Sequence, residues 1–199
     1  MNRRASERPI YGLLLAGGRS RRMGKDKALL QREGQHQLDY LFDLLAAHTD
    51  KAFVATRADQ ADDPVRRRYP QIVDRHGNIG PVDGILSALE EHPGADWLVI
   101  ACDLPNLDAH TLAHLRDNAD AGPFTAYRSS RDGLPEPLCA IYRDGAADII
   151  RRFVADGIVC PRKILIRSNA VLLELSDALA LDNINTPDEL ADSVLRASP

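Results

Sequence analysis

The sequence predicts an α/β fold built on one mostly parallel sheet with helices on both of its faces. Apolar strand-like runs recur along the chain, and segments with apolar residues at helical spacing lie between them. Strands that alternate with helices are typical of parallel sheets, because the helices form the crossover connections. The 199 residues suffice for one well-packed domain and are few for two. We therefore expect a flexible tail over residues 1–9 and a single domain over residues 10–199.

Each predicted strand is a short apolar run. The first run ends abruptly in Gly17 and Gly18, which favour a tight turn. The third and fourth runs end on acidic residues, Asp74 and Asp103. In chain order, the predicted strands are Ile10–Ala16, Ala52–Thr56, Gln71–Val73, Trp97–Ala101, Thr125–Ala126 and a strand around Ala170–Leu175.

Helices are predicted where apolar side chains recur three or four positions apart. Residues 186–189, Thr-Pro-Asp-Glu, form a capping box with proline at the first helical position and predict a final helix. We expect Pro135, Glu136 and Pro137 to interrupt the regular pattern. The apolar faces of the earlier helices are Leu38, Leu41, Phe42 and Leu45, then Ile85, Leu86 and Leu89, then Leu112 and Leu115, followed by a helix around Ala146–Val154.

The composition excludes several classes of protein. A net charge of −4 gives no general reason to expect nucleic acid binding, and no apolar run approaches the length of a membrane span. The basic N-terminus lacks the apolar segment of a secretory signal. Three scattered cysteines do not indicate a disulfide framework or a zinc site and fit a reducing cytosol. We therefore expect a cytoplasmic protein without membrane or nucleic acid partners.

The segment 13–30, LLLAGGRSRRMGKDKALL, is the most informative part of the chain. Five cationic side chains fall within nine positions after the glycines, and only Asp26 opposes them. Glycine allows backbone N–H groups to approach an anion closely, and crowded cations repel one another unless an anion lies between them. This pattern predicts a loop that binds a nucleoside triphosphate. The cations are Arg19, Arg21, Arg22, Lys25 and Lys27.

Two common phosphate-binding motifs do not fit this loop. A Walker A loop has four residues between its glycines and a hydroxyl after its lysine, whereas five residues separate Gly18 from Gly24 and Asp26 follows Lys25. The dinucleotide motif G-x-G-x-x-G is not present either. The structural alternative is a strand-to-helix turn with a solvated basic face, but glycines and cations directly after an apolar strand favour phosphate binding.

Two carboxylates follow predicted strands. Asp103 ends the strand before Pro105, and the ends of parallel strands are where α/β sheets bind ligands. Mg²⁺ prefers oxygen ligands and is often held by one or two carboxylates with substrate phosphates, so we expect Asp103 to bind Mg²⁺. Its alternative role would be to cap the next helix, but Asp108 can do that. Asp74 precedes a glycine-rich turn over residues 77–84, which either lies against a base or ribose or only reverses the chain.

The pattern LAGG-x-S-x-RMG-x-DK-x-LL resembles the opening signature of the molybdenum cofactor guanylyltransferases, in the nucleotidyltransferase superfamily. Further matches follow in chain order, namely G-P-x-x-G at 80–84, C-D-x-P at 102–105 and N-x-N-T-P at 183–187. Together they run from residue 10 to about residue 195. The resemblance implies a single Rossmann-like domain of the nucleotide-diphospho-sugar transferase type.

The resemblance also implies roles for particular residues. Lys27 would bind phosphate, Asp74 would contact the nucleotide and Asp103 would hold the metal. Asp83 and Glu136 depart from the pattern, because they add charges beside the nucleotide and the pterin. The implied catalytic residues are Arg22, Lys27 and Asp103; the nucleotide-binding residues are Leu15, Ala16, Gly17, Gly18, Lys27, Asp74, Gly80 and Asp103; and the residues on the pterin side are Pro135, Asn183 and Asn185.

The implied reaction is transfer of GMP from GTP to the terminal phosphate of molybdopterin, with release of pyrophosphate. A phosphate nucleophile is already ionised, so no general base is needed and the six histidines are expected to be structural or on the surface. Gly18 leaves room for a purine, and carbonyls near Leu15 or the carboxylate of Asp74 would accept the N–H groups of guanine. A molybdoenzyme or a cofactor-delivery protein is an expected transient partner.

Alternative functions are a cytidylyltransferase for the same cofactor, a small sugar-phosphate nucleotidyltransferase, or a nucleotide-binding module without turnover.

Overall fold

A computed structural model describes residues 8–17, 26–32, 34–77, 79–184 and 193–195 of the chain. The described residues form a seven-stranded sheet and a separate two-stranded hairpin. In chain order, the strands are β1 Ile10–Leu15, β2 Gln31–Arg32, β3 Gln35–His36, β4 Lys51–Thr56, β5 Gln71–Val73, β6 Asp96–Ala101, β7 Phe124–Arg128, β8 Pro135–Tyr142 and β9 Val171–Leu173. The helices are α1 Gln37–Ala46, α2 Pro81–Glu91, α3 Ala109–Asn118, α4 Ala146–Ala155 and α5 Pro161–Arg167.

The large sheet has the spatial order β5-β4-β1-β6-β8-β7-β9. The pairs β5–β4, β4–β1, β1–β6 and β7–β9 are parallel, and β8 is antiparallel to both of its neighbours. Leu15, at the end of β1, lies opposite Ala55 on one side and Ala101 on the other. This topology confirms the predicted mostly parallel sheet.

Two apolar cores lie on opposite faces of the sheet. One core contains the apolar sides of α2, α4 and α5 against residues such as Trp97, and the other contains those of α1 and α3 against residues such as Leu98. Trp97 and Leu98 are adjacent in β6 and both are fully buried, since successive side chains of a strand point to opposite faces. The predicted helices on both faces are therefore confirmed. None of the described helices is long and apolar enough to cross a bilayer.

The expectation that Pro135, Glu136 and Pro137 interrupt the pattern was wrong, because they begin strand β8. Proline has no N–H and is tolerated where a strand begins or at a bulge. Pro135 is the first residue of β8, and the pairing of β8 with β7 shifts register between Ala126 and Tyr127. Strand β6 pairs with β8 only over Cys139–Tyr142, beyond the prolines, so they remove no N–H from that pairing.

The remaining differences concern the ends of the chain and one helix. No helix was predicted where α5 lies, and β9 is shorter than the strand predicted around Ala170–Leu175. The helix predicted after Thr186 lies outside the described residues, as does most of the expected tail. The described part of that tail contacts the domain, because Arg8 lies 3.1 Å from Asp144 and the Pro9 carbonyl accepts the N–H of Asp96.

Candidate active site

One edge of the sheet gathers the sequence-predicted site residues. The carboxyl ends of β5, β4, β1 and β6 lie at this edge because these strands are parallel, and the amino-terminal end of β8 joins them because β8 is reversed. Along the edge the order is Asp74, Arg57, Gly17, Asp103 and Glu136. From β1 the chain first proceeds to β4 and later returns to β6 on the other side, so the gap between β1 and β6 is the topological switch point where such sheets bind ligands.

Lys27 and Asp103 meet at this switch point. The ammonium nitrogen of Lys27 lies 3.2 Å from Oδ2 of Asp103, and the two side chains are 15% and 22% exposed. Lys27 begins a short 3₁₀ turn, Lys27–Leu29, whose first N–H groups need an acceptor, and Oδ1 of Asp26 accepts the N–H of Ala28 at 3.0 Å. The structure thus brings together the predicted phosphate ligand and the predicted metal ligand, both still accessible to a ligand.

The segment after Asp103 confirms one expectation and adds a contact. Oδ1 of Asp108 accepts the N–H of Thr111 at 2.8 Å, so Asp108 caps α3 and Asp103 is not needed for that role. The backbone carbonyl of Asp103 accepts the N–H of Ile184 at 3.1 Å. Asn183 therefore lies beside Asp103, although 80 positions separate them in the printed sequence. Asn185, the other predicted asparagine, lies outside the described residues.

Asp103 is suited to Mg²⁺ only if a substrate supplies further ligands. Among the described residues, no group of three or more histidine, cysteine, aspartate or glutamate side chains could hold a metal ion. Mg²⁺ commonly retains waters and binds one or two carboxylates together with substrate phosphates. A single accessible carboxylate beside a lysine fits that kind of site and does not fit a cage built by the protein alone.

Two arginines that sequence reasoning missed hold the start of the cationic loop. Nη2 and Nε of Arg66 donate to the carbonyl of Ala16 at 2.9 and 3.3 Å, and Nη1 of Arg57 donates to the carbonyl of Gly17. The carbonyl of Leu15 accepts the N–H of Cys102 at 3.2 Å. Each of these three carbonyls thus accepts at least one hydrogen bond from another segment of the chain. The position of Arg57 directly after the apolar run of β4 was the available signal. Gly18 and Arg22 lie outside the described residues.

Arg66 contacts the far end of the loop as well as Ala16. Its side chain is 1% exposed, and Nη2 donates to Oδ2 of Asp26 at 2.6 Å. Nη1 lies 3.4 Å from Oδ1 of Asp63, which also accepts the backbone N–H groups of Val65 and Arg66. One buried guanidinium therefore joins the residue before the loop to the residue that precedes Lys27.

Asp74 lies at the end of β5, as predicted, in a partly buried position. Burial is the largest cause that raises the pKa of its carboxyl to about 7, the nearby carboxylate of Asp83 raises it further, and Arg57 opposes the shift. A carboxyl with this pKa changes its charge close to neutral pH. Asp74 can thus accept hydrogen bonds from a ligand in its ionised form, or donate one when protonated.

Asp83, which departs from the family pattern, has a structural role. It is fully buried, and its Oδ1 accepts the backbone N–H groups of Arg75 at 2.8 Å and His76 at 2.9 Å. These contacts fix the chain directly after Asp74. The next residue is Gly84, where a Cβ would lie 3.1 Å from Cδ2 of Leu15 and 3.3 Å from Oδ1 of Asp74. Gly80, at the start of α2, has a φ of 76°, which favours glycine.

A cavity of about 440 Å³ lies beyond Asp103, on the side of the predicted pterin residues. Asp103 and Asn183 line it together with Glu136, Pro137 and Arg162, whereas Pro135 is buried in β8 and is not part of the lining. Nη2 of Arg162 lies 2.9 Å from Oε2 of Glu136. The charge that Glu136 adds is therefore balanced by a cation in the same cavity.

Comparisons with known proteins agree with this arrangement. The family model described as MobA-like NTP transferase domain matches residues 12–171. A molybdenum cofactor biosynthesis bifunctional protein of Synechocystis is 38% identical over 92% of this chain, which spans about half of that protein (53%). A molybdenum cofactor guanylyltransferase of Pseudomonas fluorescens is 32% identical over 94% of both chains.

A solved structure gives the same result. The crystal structure of molybdopterin-guanine dinucleotide biosynthesis protein A from Archaeoglobus fulgidus has a TM-score of 0.74 and 25% identity, over 92% of this chain and 95% of that one. The family model covers most of the sheet, including the ends of β1 and β6 at the switch point, and the cavity-lining segment 129–139. The chain therefore belongs to the MobA-like NTP transferase family, which confirms the family predicted from its loop signature.

Proposed function

We propose that this protein transfers GMP from GTP to the terminal phosphate of molybdopterin and releases pyrophosphate. The observation that carries the proposal is the contact of Lys27 with Asp103 at the switch point of the sheet, between the cationic loop and the cavity. The reaction requires the donor triphosphate and the acceptor phosphate to lie next to each other. The Lys27–Asp103 contact lies between the loop proposed for the donor and the cavity proposed for the acceptor. The names of the relatives in Pseudomonas and Archaeoglobus support this choice of substrates.

The chemistry assigned to the protein is positioning and neutralisation of charge. Phosphoryl and nucleotidyl transfers need little covalent work from side chains, since the nucleophile is ionised and the leaving pyrophosphate is stable. Lys27 would bind the phosphates of the nucleotide and offset the charge that develops on the leaving group. Arg22 is proposed to assist it, from the sequence signature alone.

Asp103 would hold Mg²⁺ together with the substrate phosphates. The bound ion would supply further positive charge at the reacting phosphates. The accessible carboxylate of Asp103, which no helix cap requires, supports this assignment.

The two substrates would bind towards opposite ends of the sheet edge. On the donor side, Asp74, which lies near Leu15 and Gly84, would contact the nucleoside. A carboxylate can accept the N1–H and N2–H groups of guanine together, whereas cytosine presents a different pattern of donors and acceptors. On the acceptor side, the cavity with Asn183 and Glu136 would take the pterin.

A product assay tests the proposal directly. The purified protein would be incubated with Mg²⁺, molybdopterin and either GTP, CTP or ATP, and the dinucleotide and pyrophosphate would be quantified by mass spectrometry and a coupled assay. We expect GTP to be the preferred donor, with no product when the acceptor is omitted. A preference for CTP would identify a cytidylyltransferase instead, and nucleotide binding without any product would indicate a binding module.

The same proposal includes the expected surroundings of the enzyme. Transient contact with a molybdoenzyme or a cofactor-delivery protein would pass on the finished dinucleotide. A cytoplasmic location is the one that the cysteine content predicts.

A further inference from the structure

Arg66 makes contacts that the proposed reaction does not explain. It lies in a 3₁₀ turn, Arg66–Arg68, between β4 and β5, and it does not belong to the loop or to the end of any strand. Its guanidinium is nevertheless buried, and it contacts the carbonyl of Ala16 and the carboxylates of Asp26 and Asp63. A buried charge is costly unless it is paired and hydrogen-bonded, so such a group is retained where its contacts matter.

The contacts of Arg66 lead to Lys27 in two steps. Nη2 of Arg66 donates to Oδ2 of Asp26, and the other oxygen of Asp26 accepts the N–H of Ala28. Asp26 thus caps the turn in which Lys27 is the first residue. Because the same guanidinium also donates to Ala16, the start of this turn is fixed relative to the end of β1.

We infer that Arg66 is a positioning residue, which acts through Asp26 to hold Lys27 opposite Asp103 for binding of the triphosphate. This inference rests on the proposed function only in that Lys27 must bind phosphate. The planar fork of arginine donates in two directions at once, here to a carbonyl and to a carboxylate, and the single ammonium group of lysine does not reproduce that geometry.

The test measures binding of tripolyphosphate and of GTP by calorimetry, in the presence of Mg²⁺. We expect Arg66→Met to weaken tripolyphosphate binding about tenfold, the size of a lost charge-assisted hydrogen bond. In a Lys27→Ala background, the same substitution should cause no further loss, because Arg66 acts only through Lys27. Arg66→Lys should keep the charge and restore less than half of the lost binding free energy.

The matched control is Arg68→Met, in the same turn. Arg68 pairs with Asp39 at 2.7 Å and its side chain is 51% exposed, so its loss should leave tripolyphosphate binding unchanged. If Arg66→Met does not fold, Asp26→Asn provides the same test, since Asp26 is 29% exposed and asparagine retains an acceptor for Ala28 while losing the charge that pairs with Arg66.

Hydrogen exchange adds a readout that does not depend on the reaction. The amide of Ala28 should exchange faster in Arg66→Met and in Asp26→Asn, at unchanged exchange in α3. Equal losses of tripolyphosphate binding with and without Lys27, or unchanged binding in both variants, would overturn the inference. A wild-type protein that binds tripolyphosphate but transfers no nucleotide would contradict the proposed function and leave the role of Arg66 measurable.

Discussion

The ammonium nitrogen of Lys27 lies 3.2 Å from Oδ2 of Asp103, although 76 positions separate the two residues. Lys27 comes from the short turn at the end of the cationic loop and Asp103 from the end of β6. Each side chain is partly shielded from water, so their mutual attraction is stronger than at an open surface. The contact keeps a cation and an anion side by side. An incoming triphosphate would bind the ammonium group of Lys27, and a divalent metal would bind the carboxylate of Asp103.

Removal of the Lys27 charge should weaken binding of phosphate more than binding of the nucleoside. For Lys27→Ala we expect about a ten- to hundredfold loss of affinity for GTP, since a charge-assisted hydrogen bond contributes about 1.5–3 kcal/mol. Affinity for guanosine should change little, as calorimetry would show. Lys51→Ala is the control, because Lys51 lies at the opposite end of the strands. Equal losses for GTP and guanosine would show that Lys27 acts through folding.

Asp103→Asn should preserve the fold and remove Mg²⁺-dependent transfer, because the variant lacks the negative charge that attracts the cation. We expect kcat to fall by more than about a hundredfold, at a melting temperature close to that of the wild type. Asp108→Asn is the matched control, since asparagine caps helices as well as aspartate does and activity should persist. Turnover near the wild-type rate in folded Asp103→Asn would exclude Asp103 from the metal site.

The raised pKa of Asp74 predicts a pH dependence of stability. Burial lifts this pKa from 3.8 to about 7, so the folded protein binds the proton more tightly than the unfolded chain. The stabilising contribution is complete below about pH 4 and is lost as the pH rises through 7. Asp74→Asn should therefore match the wild type at about pH 4 and melt about 2–4 °C higher at pH 8. This corresponds to about 1 kcal/mol, because solvent screening of a partly exposed carboxyl leaves only a fraction of the full shift.

Thermal melts at the two pH values measure this difference. Asp62→Asn, at an exposed position, should show the same offset from wild type at both. An offset for Asp74→Asn that does not change between pH 4 and pH 8 would mean that Asp74 does not titrate in this range.

Gly84→Ala should lower both the stability of the protein and its affinity for GTP, although it adds only one methyl group. Alanine gains about 1 kcal/mol of helix propensity over glycine, but its methyl would lie 3.0 Å from Cβ of Ala55 and 3.1 Å from Cδ2 of Leu15. Overpacking of this kind costs about 1–3 kcal/mol, so a net loss of about 1 kcal/mol is expected. Oδ1 of Asp74 would lie 3.3 Å from the same methyl. Because Asp74 is proposed to contact the nucleotide, affinity for GTP should fall as well.

Gly94→Ala is the control for this substitution, since a Cβ at Gly94 would meet nothing within 4 Å. Chemical denaturation and GTP titration of both variants give the comparison. Wild-type GTP affinity in Gly84→Ala would show that Asp74 can shift without consequence for the nucleotide.

Much of the fold could be predicted because the apolar pattern and the strand ends coincide. Residues 71–73 were predicted as a strand with the bounds that β5 has, and the predicted apolar positions of α1 and α2 pack in the two cores. Acidic residues that end apolar runs mark the ligand edge of a parallel sheet, which is why Asp74 and Asp103 could be found.

The missed features depend on contacts between distant segments. Strand β8 begins with two prolines among three residues, and only its pairing with β7 and β6 makes it a strand. Arg66 looks like one member of a solvated basic run, since nothing local indicates that it is buried against Ala16 and Asp26. The role of Asp83 was hidden for the same reason, because its partners precede it by seven and eight positions.

The reversed direction of β8 has a consequence for how specificity could change. The residues proposed to bind the nucleotide fall within positions 15–103, whereas the cavity is lined mainly by residues 129–139, 160–162 and 175–183. The two substrates are therefore proposed to bind consecutive portions of one polypeptide, and within the described part of the first portion Pro81 and Asp103 also line the cavity. A chimaeric chain that takes residues 124–184 from a relative would be expected to inherit that relative's acceptor while it keeps its own base preference.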